Sequence, residues 1–254
     1  MQKLLVEATA AVHAAATRVV RPAQTPTNAA QLFAALRAND DAVTEVLRPA
    51  LLGALPGSQW TSDEHGSGPM PDGDWWVVDP VGGNMNAVQS MPDWNVGVSL
   101  VRAGRPTLAV LYAPVAGETF TATAGGGAFV NGVRLQVSAK TDLSMALTGT
   151  GQAKPSRDAA GAERVGAAIA AMMRHALYVQ ASVPVGHQLA QVAAGRMDVH
   201  WQFDNLRSHI APVLLVQEAG GTVTDLDGKP WQLTSDGYLA AAPGVHAAAI
   251  EVLR

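Results

Sequence analysis

The run Trp75-Trp76-Val77-Val78-Asp79-Pro80-Val81-Gly82-Gly83-Asn84-Met85-Asn86 carries more structural information than any other segment of this chain. An apolar stretch ends on one carboxylate, then Pro, then a Gly-Gly pair. That grammar predicts a strand delivering Asp79 to a turn. Asn84 and the residues after it are placed to open a helix. A helix start has unsatisfied N–H groups and a positive dipole end, so it attracts anions. A carboxylate beside such a cradle is what metal-assisted phosphate chemistry needs. Yet glycine stands where a second carboxylate would help hold a cation.

Working outward, residues 4–20 have Leu5, Ala8, Val12, Ala15 and Val19 near one stripe and predict an amphipathic helix. Glu7, His13 and Arg18 interrupt its apolar character, which excludes a signal-peptide core or a membrane span. Residues 22–28 read as a turn-rich break. A second helix is predicted from about Asp40 to Leu55, with Pro49 interrupting or kinking it. Residues 61–74 read as a polar loop. Strands are expected over 94–101, 107–113, 118–124, 128–131 and 134–137, an antiparallel meander. Beyond Leu143 strands alternate with helices: a strand near 146–149, a helix near 159–174, a further strand, a helix near 185–195, a strand near 197–202, a helix near 209–219 and a strand near 222–225. This predicts a layered α/β sandwich, with residues 1–142 holding the N-terminal helices and antiparallel sheet and 143–254 a mixed α/β half, the cleft lying between them.

Composition narrows the function. The 254 residues are 48% hydrophobic and 15% charged, enough for a large core. A net charge of −4 without Lys or Arg runs argues against nucleic acid or an acidic membrane as partner. There is no cysteine, hence no disulfide, thiol nucleophile or Cys-ligated zinc, which fits a cytoplasmic enzyme.

Four ordered blocks together point further: Trp76–Pro80 with Gly83; Gly127-Ala128-Phe129-Val130-Asn131-Gly132; Val192-Ala193-Ala194-Gly195-Arg196-Met197-Asp198; and the run from Glu218 to Pro230, which holds Gly220-Gly221 and Asp225-Leu226-Asp227-Gly228. With them the chain resembles the inositol monophosphatase superfamily, magnesium-dependent and lithium-sensitive phosphatases of sugars and nucleotides. The resemblance implies an αβαβα sandwich, a homodimer and a set of magnesium ions held by carboxylates. Those catalysts usually carry Asp-Pro-Ile-Asp-Gly-Thr after the strand, a Glu-Glu pair upstream and Trp-Asp at the start of a later helix. Here the first Asp is Asp79, and Val81 would still offer its carbonyl. The second Asp is Gly82 and the Thr is Asn84. Counted back from Ala219-Gly220-Gly221, Trp-Asp becomes Arg207-Ser208, followed by His209. The upstream pair falls on Asp63-Glu64, and Asp40 matches an acid that orients water through the Thr.

The residues therefore leave Asp79, Asp63, Glu64 and Val81 for at most one weakly held magnesium ion. Glycine has no ligand atom and serine only a neutral one, so the metal site reads as degenerate. Asp79 is a site residue or a turn cap. Asn84 and Asn86, with Gly83, are ligand contacts or helix caps. His209 beside a cleft is an acid–base candidate, although a lone His is more often a satisfied polar residue. Gln202 replaces a Glu that touches substrate hydroxyls, and Arg207 replaces an aromatic; with Ser208 these complete the substrate-binding candidates. Gly125–Gly127 lacks the ending of a phosphate loop and reads as a tight turn. Three functions remain open. One is a repurposed enzyme acting on a small polyol-like, phosphorylated or anionic metabolite by metal-independent acid–base chemistry at Asp79, Asp63 or Glu64, and His209, of a cyclase, isomerase or lyase type. Another is a residual one-metal phosphomonoesterase, with Asp40 and Asn84 orienting water. The last is a pseudo-phosphatase that binds a ligand or partner.

Overall fold

The computed structural model describes residues 1–61, 63, 65–151 and 159–254. Helices α1 (Gln2–Ala16) and α2 (Ala29–Ala54) cover one face of a seven-stranded sheet. Its strands lie in chain order: β1 (Gln59–Thr61), β2 (Asp74–Gly82), β3 (Asn95–Arg102), β4 (Arg105–Ala113), β5 (Glu118–Thr123), β6 (Gly127–Val130) and β7 (Val133–Arg134). From β2 to β7 every neighbour is antiparallel, as the hairpin signals require; only β1 joins in parallel, on β2. A single turn of helix, α3 (Asn84–Val88), follows β2.

The second sheet is mixed. Its strands β8 (Leu147–Thr150), β9 (Tyr178–Ala181), β10 (Val199–Gln202), β11 (Thr222–Thr224) and β12 (Tyr238–Ala241) stand in the order β11-β12-β10-β8-β9. Helices α5 (Val185–Ala193) and α6 (Ile210–Glu218) fill the space between the two sheets. Helices α4 (Ala159–Met173) and α7 (Pro243–Leu253) close the outer face. The chain is thus an αβαβα sandwich.

Strand alternation explains the layering. On β2 and β3, Trp76, Val78, Val96, Val98 and Leu100 pack against Val12, Val43, Leu47 and Leu51 of the outer helices. The intervening Val77 and Val101 face α5 and α6. Successive side chains point to opposite faces, so Asp79, two residues beyond Val77, is aimed into the central layer. Helix α6 is buried almost all round, from Ile210 to Val216, which marks it as the pivot of both halves.

Some elements differ from expectation. Helix α2 begins eleven residues before Asp40, at Ala29, where Asn28 Oδ1 accepts from Gln31 N at 3.0 Å. Its first turns are largely exposed and give no apolar stripe to read; the Asn cap and good helix formers hold them. The helix also runs through Pro49, which forgoes only one backbone donor. Strands β1 and β12 and helix α7 were not anticipated. The glycine turn at 125–127 is a turn as expected, but its N–H groups also cradle an anion from the chain itself. Gly125 N and Gly127 N donate to the two oxygens of Glu218 at 2.8 Å each.

Candidate functional site

The β2–β3 ladder builds the centre of the site. Asp79 pairs with Gly97 and Gly82 with Asn95, with a bulge between Asp79 and Gly82. A bulge bends its strand and re-aims side chains. Here it sets the Asp79 carboxylate over Gly82: a Cβ on Gly82 would stand 2.6 Å from Asp79 Oδ2 and 2.6 Å from Asn95 Nδ2. Asn95 is fully buried (0% exposed), and neither end of its amide has a hydrogen-bond partner. The sequence reading missed this residue; the available signal was a lone amide opening the apolar strand at 94–101. The Val81 side chain turns the other way, into the core under α2.

Gly83 is a structural necessity. It sits at φ 75°, and a Cβ there would meet Asp93 O at 2.8 Å and the ring of Pro184 at 3.0 Å. Asn86 is a staple between segments, its Nδ2 donating to Asp93 O at 2.8 Å and Val183 O at 2.9 Å. The helix that opens at Asn84 is one turn long, so few peptide dipoles add up and its pull on an anion is small.

Asp40 and Asn84 do meet. Asn84 Nδ2 donates to Asp40 Oδ1 at 2.8 Å and to Leu36 O at 2.9 Å, while its Oδ1 accepts from Asn39 at 3.0 Å. The amide is saturated by α2 and ties that helix to the turn. Burial raises the Asp40 carboxyl to about 6, against the lowering effect of the Asn84 bond and with a further push from Asp41.

Across the cleft, a 3₁₀ turn at Arg207–His209 leads into α6. Arg207 is mostly buried and paired: Nη1 lies 3.1 Å from Asp63 Oδ2, and its backbone N donates to Gly66 O at 2.9 Å. Arg207 thus draws Asp63 into an ion pair and holds the backbone at Gly66 and Ser67. Glu64 lies outside the described residues. Ser208 is half-buried. His209 is 5% exposed; its Nδ1 accepts from Leu206 N at 3.4 Å, and its ring meets Tyr238 edge-on at 5.6 Å.

The inner face of the second sheet is polar but uncharged. Gln202 stands opposite Tyr238, and Gln202 Nε2 approaches His200 Nε2 at 3.5 Å. Gln202 Oε1, His200 Nδ1, Tyr238 Oη and, from α5, Gln188 Oε1 are buried without partners. Burial depresses the His200 pKa to about 3 and raises that of Tyr238, so both stay neutral. A separate hollow of about 370 Å³ lies beside residues 67–69, lined also by Phe203, Asp204 and Asp236. It does not include Asp79.

Magnesium takes a near-octahedral oxygen shell anchored by carboxylates. Among the described residues no group of three or more His, Asp or Glu side chains is arranged to hold a metal. The donor chemistry gives the reason: beside Asp79 stands the amide of Asn95, and Asp63 is engaged by Arg207. The described residues do not fit a pair of magnesium ions.

The five layers, with an acid-bearing strand and turn facing the central helices, define the sugar-phosphatase type of αβαβα sandwich. The chain belongs to the inositol monophosphatase family, which it matches over residues 2–254. It is 34% identical over 195 residues to the inositol-1-monophosphatase of Rhizobium meliloti, covering 74% of this chain and 71% of that protein. It is 32% identical over 211 residues to the Nus factor SuhB of Pasteurella multocida, covering 82% and 77%. Among solved structures, the inositol monophosphatase of Anabaena (Nostoc) sp. PCC 7120 superposes with a TM-score of 0.82 at 27% identity, over 99% of this chain and 95% of that one. The family is in general magnesium-dependent and acts on small phosphorylated substrates. Among the described residues no helix is long and apolar enough to cross a membrane.

Proposed function

We propose that this protein keeps the family's cleft for a small polyol-like, phosphorylated or otherwise anionic metabolite but no longer hydrolyses phosphate by the two-cation route. The observation that carries this reading is the pairing at the catalytic turn, where Asp79 shares its space with the Asn95 amide over Gly82. An ionised carboxylate beside a neutral amide accepts and relays protons, but it does not supply the anionic oxygens that two divalent cations require. Chemistry then falls to Asp79 as acid–base group. His209, whose Nδ1 accepts from Leu206 N, is the second acid–base group. Asp40, Asn84, Asn86 and Gly83 hold the turn in place. Arg207, Ser208 and Gln202 form the opposite wall.

The test is calorimetry with magnesium together with phosphate release from a panel of sugar phosphates. Weak cation binding and no release, with turnover or binding of a panel member that survives chelator, supports the reading. Tight magnesium binding with rapid release would end it, and activity abolished by chelator and by Asp79→Asn would favour the one-metal phosphatase instead.

A different observation supports a partner-binding role. Met145, Met173, Leu177 and Tyr178 are all more than half exposed, and Leu177 N and Tyr178 N both donate to Ala146 O, which gathers three of them at one edge of the second sheet. Several relatives are named Nus factor SuhB. A second copy of this chain, in a cytoplasmic homodimer, is the partner we place on this edge; analytical ultracentrifugation of Leu177→Glu, expected to shift dimer to monomer, tests it.

A further inference from the structure

In an antiparallel pair, residues directly opposite share one volume, their Cβ atoms about 4.5–5.5 Å apart. Two such pairs lie side by side at the end of β2 and β3, each with a glycine: Asp79 opposite Gly97 and Gly82 opposite Asn95. The functional groups therefore sit on one diagonal and the glycines on the other. The volume a side chain at 82 would occupy is taken. A Cβ there would lie 2.6 Å from Asn95 Nδ2, 3.0 Å from Asn95 Oδ1 and 2.6 Å from Asp79 Oδ2. Gly186, at the start of α5, closes the far side, its own Cβ position 3.4 Å and 3.5 Å from the same amide.

A fully buried amide with donor and acceptor both open is costly to maintain. Four other asparagines are treated differently: Asn39, Asn84, Asn86 and Asn205 each spend their amide on named partners, and the buried glutamines Gln188 and Gln202 leave only one end open. An unsatisfied amide at this position is better explained by the volume it fills beside Asp79 than by what it holds together.

We infer that Asn95 is a specificity-determining residue of this cleft: its amide fills the volume beside Asp79 that Gly82 leaves open, and so puts a neutral side chain where a second cation ligand would stand. The inference rests on the proposed function above and adds the residue responsible. An amide brings no anionic oxygen, whereas a magnesium-type cation is anchored by carboxylates. Gly82 alone is not the cause: with Asn95 in place, a carboxylate added at 82 enters only by displacing the ends of the Asn95 and Asp79 side chains.

Manganese titrations by calorimetry of the full chain separate these statements. Asn95→Asp keeps size and shape and sets a second carboxylate against Asp79; it should bind Mn²⁺ at least about tenfold more tightly than wild type. The double variant Gly82→Asp/Asn95→Ala should gain similarly, because the ligand and the room for it arrive together. Gly82→Asp alone should stay within about threefold of wild type. The inference is overturned if Gly82→Asp alone binds as tightly as the double variant, or if Asn95→Asp, folded by circular dichroism, gains nothing. Tight Mn²⁺ binding by the wild type would instead defeat the proposed function on which it stands.

Discussion

Two buried polar residues facing the central region receive opposite treatment. Asp198, 1% exposed, is saturated: it accepts from Ser138 Oγ at 2.5 Å, Lys140 Nζ at 2.7 Å and Leu147 N at 2.7 Å. Asn95, 0% exposed, has no partner at either end of its amide. The first joins β8, β10 and the segment before them into one unit. The second lies against Asp79 and two glycines and joins nothing. Buried polar groups in a scaffold are paired because each unpaired one weakens the fold; a site tolerates the deficit because a ligand makes it good. Equal burial thus goes with opposite bonding in these two residues.

The largest effect that would break this contrast is at Asp198. Asp198→Ala leaves the Lys140 ammonium and the Leu147 N–H without their acceptor and should cost about 3–5 kcal/mol in urea unfolding. A loss below about 1 kcal/mol would remove Asp198 from the architecture. Next is overpacking at the turn. Gly82→Ala forces a Cβ into Asn95 and Asp79 and should cost about 1–3 kcal/mol, of which Asn95→Ala in the same chain should recover most. Additive losses would mean the two residues do not share a volume. Asn95→Ala alone, lacking bonds to lose, should change stability by less than about 1 kcal/mol, unlike Asp198→Ala.

The pH dependence sharpens the contrast between α2 and the second sheet. Asp40 has a folded pKa of about 6, above its unfolded value near 3.8. The folded state therefore holds the extra proton, so this group's contribution falls as pH rises from about 4 to about 6. His200 works in the opposite direction. Its folded pKa near 3 lies below 6.5, the unfolded chain takes the proton first, and stability falls as pH drops below about 6.5. Melting temperatures across pH 4–8 should show Asp40→Asn losing the first trend and His200→Gln the second. The smallest effect is expected at Arg207. Arg207→Ala should cost under about 1 kcal/mol, because its partner Asp63 is exposed. It should nonetheless raise protease cleavage at Gly66–Ser67; unchanged cleavage there would show that Arg207 does not hold those residues.

Much of this arrangement was legible beforehand. The apolar run into Asp79, the turn at Gly83, the hairpins and the α/β alternation after Leu143 all rest on local grammar. Asp40 was brought to Asn84 by family likeness, since 44 residues separate them and no periodicity links them. The first half of α2 escaped because an exposed helix bears no apolar stripe. Helix α7 had a usable sign in Pro243 at its first position. The sequence left Asn86 as a ligand contact or a helix cap and placed Arg207 by family likeness; it gave no sign of the bonds these side chains make to Val183 O and Asp63.

By itself the chain determined its layers and its acid-bearing turn, because side-chain period and turn chemistry are properties of residues in line. Only the tertiary structure decided that Asn95 fills the space over Gly82, that Arg207 captures Asp63 and that Asp198 is saturated while Asn95 is not. Those outcomes depend on which atoms meet across strands and layers, and one-dimensional order does not fix such distances.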